Sequence, residues 1–175
     1  MKKLLLTLTV FILFPKEIVA CDCVYKSLVE YQEREIKKSE CIFIGKITEI
    51  NDDSTYKITV VESLDGGDLQ GNVYLGLNLR YCEPYVDKVG TWLVYGRMED
   101  GFLKMNICGI SRSFENPSAP PSGSTESLEF QKKLELEKEP NQEPFLIWGK
   151  LARLDLANEI YALRKRRDFN GKASK

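Results

Sequence analysis

Five cysteines, at positions 21, 23, 41, 82 and 108, constrain this chain more than any other feature, because two of them stand one residue apart behind an apparent export leader. Residues 1–20 carry Lys2 and Lys3, an apolar run from Leu4 to Phe14 and a small residue at Ala20, the three-part pattern of a secretory signal. The run spans 11 residues, too few to cross about 30 Å of hydrocarbon as a helix. Cleavage after Ala20 would leave 155 residues beginning at Cys21, exported in bacterial style to an oxidising compartment where distant cysteines pair. In an extended segment the Cys21 and Cys23 side chains point to opposite faces, so each is placed to reach a different part of the fold, with Cys82 and Cys108 as the distant partners on offer. Cys41, inside the apolar run CIFIGKITEI, reads as a buried free thiol.

Composition narrows the chemistry. The chain has no histidine, which excludes Ser-His-Asp and Cys-His catalysis, His-bearing zinc sites and two-His iron sites. No carboxylate, lysine or cysteine pattern marks a catalytic site, so the chain reads as a non-enzyme without a cofactor or resident metal. The acidic run Glu135–Glu139 reads as a water-facing helix surface, and Cys-x-Cys lacks the Cys-x-x-Cys spacing of a thiol-disulfide enzyme. Without Lys2, Lys3, Lys16 and Glu17 the chain has 22 basic and 25 acidic residues, a balance of −3 that offers nucleic acid no general attraction. The tail RKRR at 164–167 reads as a solvated helix end complementing the C-terminal dipole.

Local patterns predict a mainly β architecture. Ser27-Leu28-Val29-Glu30 fits a capping box opening a helix to about Lys38. CIFIGKITEI, TYKITVVESL, GNVYLGLNL, TWLVYGRM and FLKMNIC then read as five strands separated by the turn sequences NDD, DGGD and EDG. Five short strands with hairpin connections suggest a small antiparallel barrel or sandwich, and Gly45, Gly76 and Gly96 suit bulges or tight bends in it. Residues 116–127 form a Pro/Ser-rich linker, 128–168 two helices broken by PNQEP, and 169–175 a tail. Ile147, Leu151, Leu154, Leu156, Ile160 and Leu163 make an apolar stripe expected to pack on the barrel, a partner protein being the alternative. Trp148 reads as core.

Cys21-Asp22-Cys23, SECIFIGKI, Arg80-Tyr81-Cys82-Glu83-Pro84-Tyr85, GTWLVYGRM and FLKMNICGISR together resemble the bacterial relatives of the tissue inhibitors of metalloproteinases, within the netrin-like domains. The resemblance covers 21–115 and leaves the C-terminal helices outside it. It implies an OB-type five-stranded Greek-key barrel flanked by helices, with Cys21 bonded to Cys82 and Cys23 to Cys108. It also implies a secreted inhibitor whose Cys21 amine and carbonyl chelate the zinc of a metalloprotease, while the Asp22 side chain enters the specificity pocket. Inhibitory members carry a small neutral residue there, and a carboxylate in an apolar pocket costs several kcal/mol unless paired. Ile18-Val19-Ala20-Cys21 also matches the pattern after which bacterial lipoproteins are cut and acylated. Lipid on Cys21 would leave an even set of four cysteines and a lipid-anchored or soluble envelope protein with a non-inhibitory binding role. Pro15-Lys16-Glu17 separates the apolar run from that point, which favours plain secretion to the medium, periplasm or cell surface.

Overall fold

The computed structural model describes residues 23, 27–79, 84–117, 129, 132–133, 136 and 144–173. Helix α1 (Leu28–Lys38) begins at a complete capping box: the Glu30 amide donates to Ser27 Oγ, and the Ser27 amide donates to Glu30 Oε2 at 3.0 Å. Glu30 in the first turn and Lys37 and Lys38 in the last complement the helix dipole.

The five strands β1 (Cys41–Ile50), β2 (Thr55–Ser63), β3 (Val73–Leu77), β4 (Gly90–Glu99) and β5 (Phe102–Met105) pair in the order β1-β2-β3-β5-β4, and β4 returns to β1. This is a closed OB-type barrel, mixed because β3 and β5 run parallel where Gly76 meets Leu103. A two-residue strand, β6 (Arg112–Ser113), extends β4 on its far side. Nothing in its sequence announces it, since two residues carry no period. The strand expected through Cys108 ends at Met105, because the Gly109 amide donates to the Asn106 carbonyl at 2.9 Å and turns the chain.

β1 and β4 look like continuous apolar runs because each is covered on both faces. Phe43, Ile47, Trp92 and Val94 point into the barrel with Tyr56, Ile58, Val60 and Leu103. Their neighbours Ile42, Ile44, Leu93 and Tyr95 point outward into a second core beneath the helices. Two glycines permit the inner packing. A β-carbon on Gly76 would lie 2.1 Å from the Tyr56 ring, and one on Gly45 2.6 Å from Ile58; the β1–β2 register shifts at Ile44/Gly45, as a bulge requires.

Helix α2 (Pro144–Ala173) closes the outer core with Leu156, Ile160 and Leu163, which share one buried cluster with Leu28 and Tyr31 of α1. The apolar stripe thus covers the barrel of its own chain. The helix runs on through the residues expected as a tail. Leu154 is only partly covered, because its spacing from Leu156 and Ile160 turns it off the buried stripe. Trp148 is 54% exposed rather than core, standing near the start of α2 a turn before buried Leu151. RKRR is not simply solvated: Arg164 grips Glu62 through Nε at 2.9 Å and Nη2 at 2.6 Å, and Arg167 Nη1 donates to Glu62 Oε1 and the Ser63 carbonyl. Those contacts, Arg164 foremost, hold the Glu62 carboxyl below its usual range. The leader, the Pro/Ser linker beyond Pro117 and most of the first C-terminal helix lie outside the described residues. No described helix is long and apolar enough to cross a membrane.

Candidate functional site

Cys108 sits at the corner where β5 hands over to β6, and it is bonded to Cys23 with a Cα–Cα distance of 5.5 Å across 85 residues. In the chain-entropy account a loop of that size contributes about 4.5 kcal/mol by restricting the unfolded chain.

The corner is held from several sides. Cys108 itself takes a left-handed backbone (φ 53°), which a non-glycine residue keeps only when its surroundings compel it. Arg34 of α1 donates to the Cys108 carbonyl at 2.5 Å and to Glu35 Oε1 at 3.1 Å, while its guanidinium lies 4.5 Å from the centre of the Tyr31 ring. Buried Glu35 accepts from the Asn106 amide at 2.7 Å, and Asn106 also donates to Ser39 Oγ and accepts from Arg97. Glu35 therefore has a cation and an amide for its two oxygens, the pairing that a buried carboxylate needs. The first helix and the end of the barrel are joined by polar groups facing the disulfide.

A neighbouring loop completes the corner. Asn78 clamps Val86 in both directions, donating to its carbonyl at 2.8 Å and accepting from its amide at 2.9 Å. This holds Pro84 and Tyr85 beside the β5 exit, where Pro84 and Ile107 border one small gap. Tyr85 and Ile107 are exposed, so the rim near Cys108 presents apolar surface on a rigid backbone. Below Tyr85 lies a mainly polar depression of about 500 Å³ walled by Lys88, Trp92, Ser111, Arg112 and Glu115.

Of the residues singled out from sequence, Cys23 and Cys108 are brought together and Cys41 is a buried free thiol. Cys21, Asp22 and Cys82 lie outside the described residues. Burial, then the charges of Asp68, Asp65 and Glu40, pushes the Cys41 thiol up to about 12. At neutral pH it is a protonated small hydrophobe, unsuited to nucleophilic or redox work. Among the described residues no group of three His, Cys, Asp or Glu side chains could hold a metal ion.

Sequence reasoning missed a second buried polar group, between the barrel and α2. Glu159 accepts from the Tyr95 hydroxyl at 2.5 Å and pairs with Arg112, whose Nη1 donates to the Ile110 carbonyl at 3.0 Å. Burial, with the Glu159 carboxylate next, drives the Tyr95 hydroxyl well above the ordinary phenol range. The only advance signal was the acid spaced four residues from Asp155 on an otherwise apolar helix face.

No family model matches the chain, and no curated protein matches it significantly.

Proposed function

We propose that the chain is an exported binding module of the metalloproteinase-inhibitor type, acting through its N-terminal segment on the zinc of a metalloprotease. One observation carries this reading: the Cys23–Cys108 bond, mounted on a corner that α1 and the Asn78 clamp hold rigid. Two residues of chain reach at most about 7 Å, so a terminus at Cys21 stays beside that corner. Little ordering entropy then remains to be lost on binding. An α-amine titrates near 7.7–8.0 and is partly unprotonated at neutral pH, so with the Cys21 carbonyl it can chelate a partner's zinc without any histidine. Exposed Tyr85 and Ile107 supply the flanking apolar contact. Asp22 selects a protease whose specificity pocket carries a cation, because a buried carboxylate needs a partner.

The test compares two oxidised proteins on a set of zinc endopeptidases with a fluorogenic peptide: the chain starting at Cys21, and the same chain with that amine acetylated. Inhibition by the free form that weakens at least 100-fold on acetylation supports the reading. Equal potency of the two forms, or inhibition by neither, removes it, as does a diacylglyceryl mass on Cys21 in protein from the native host.

A further inference from the structure

Helix α2 carries seven cations and three acids, in a chain whose net charge is only −1. The distribution across its faces is more uneven still. Two of the acids, Asp155 and Glu159, are turned inward and buried, and the third, Asp168, already accepts from Arg167. Arg164 and Arg167 are spent on Glu62. Lys150, Arg153, Lys165 and Arg166 remain exposed and make no ion pair among the described residues.

Large aromatic side chains share this exposed surface. Tyr161 and Phe169 are 68% and 73% exposed and stand eight residues or about 12 Å apart along the helix, whereas Trp148, seven and eleven residues before buried Asp155 and Glu159, lies on the other side of it. Tyr161 and Phe169 border one shallow depression with Arg164, Lys165 and Asp168. The barrel already covers the helix's aliphatic face, so these rings have no core left to join.

We propose that the outer face of α2 docks the protein on an anionic phospholipid bilayer. Interspersed cations and aromatic rings fit that partner specifically: the cations meet headgroup phosphates, and the rings settle at the level between headgroup and acyl chain. A soluble polyanion would use the cations and leave two rings in water. Each basic residue near an anionic surface raises affinity about fivefold, so Lys150, Arg153 and Lys165 together give about 100-fold, a salt-sensitive contribution. This docking does not depend on the N-terminal reading, and its test leaves the Cys21 amine untouched.

The experiment uses the oxidised chain without residues 1–20, which contains every described residue and lacks the apolar run that would itself bind lipid. Sedimentation is measured with vesicles of phosphatidylcholine alone and of phosphatidylcholine with phosphatidylglycerol. Binding should require phosphatidylglycerol and fall about 100-fold in K150Q/R153Q/K165Q, a variant of exposed residues whose circular dichroism should match the parent. Y161S/F169S should weaken binding while preserving its salt dependence. Equal binding to both vesicle types, or indifference to the triple substitution, overturns the proposal. Binding that soluble polyphosphate competes away and that Y161S/F169S leaves unchanged assigns the face to a polyanion and overturns it too.

Discussion

Replacing Glu159 by Ala should be among the most damaging single changes in this protein, far beyond the value of a surface ion pair. The side chain is 4% exposed and holds Arg112, itself 3% exposed, together with the Tyr95 hydroxyl. Its loss strands a guanidinium that keeps only the Ile110 carbonyl, since Arg112 Nε has no acceptor even in the intact protein. An uncompensated buried charge costs about 3–5 kcal/mol, and an orphaned buried hydroxyl about 1–3 more, the two overlapping because they share one partner. About 5 kcal/mol is a large part of the roughly 5–15 kcal/mol that a domain holds in reserve. Urea unfolding followed by circular dichroism measures it, and α2 is expected to detach first, turning one transition into two. The decisive comparison is Y95F/R112M/E159L, which removes all three polar groups and leaves apolar bulk. It should recover to within about 2 kcal/mol of the parent, because a buried ion pair contributes little net stability over well-packed hydrophobes. If Glu159→Ala cost under about 1 kcal/mol, or the triple variant were as unstable as the single one, the assignment of this cluster as a mutually satisfied buried network would be wrong.

Two further outcomes test the barrel. Gly76→Ala should destabilise by about 3 kcal/mol, the upper end for overpacking, because its β-carbon would overlap the buried Tyr56 ring; the midpoint of urea unfolding reads this directly. Alkaline conditions should weaken the fold through Cys41. Its folded thiol is pushed from an ordinary value of about 9.0 up to about 12, so the associated stability is intact below about pH 9 and is lost as pH rises toward 12. Between pH 9 and 10 the parent should lose about 1 kcal/mol more than Cys41→Ala does, measured by urea unfolding at each pH; parallel slopes would refute this.

What could be read in the chain, and what could not, divides along a physical line. Ser27 and Glu30 announced α1 because a capping box is made by residues three apart, and the strands showed through side-chain chemistry that any half-buried ribbon requires. β1 and β4 were legible for a different reason, the coverage of both their faces, which turns alternation into an unbroken apolar run. The cluster that steadies Cys108 was not legible, because Glu35 and Asn106 are 71 residues apart, and a lone Glu on a helix looks the same whether it meets water or a buried amide. Arg164 likewise acquires its role only when the fold brings Glu62 to it from 102 residues away. Trp148 shows the converse error: an aromatic on an apolar helix is core only where something stands opposite it. Local chemistry thus specified the elements, while the polar contacts that hold the corner and the helix in place are set by tertiary closure, where no spacing rule reaches. For that reason the proposed N-terminal chelation and the proposed lipid docking of α2 must be tested separately, since each rests on different parts of the fold and either can fail without the other.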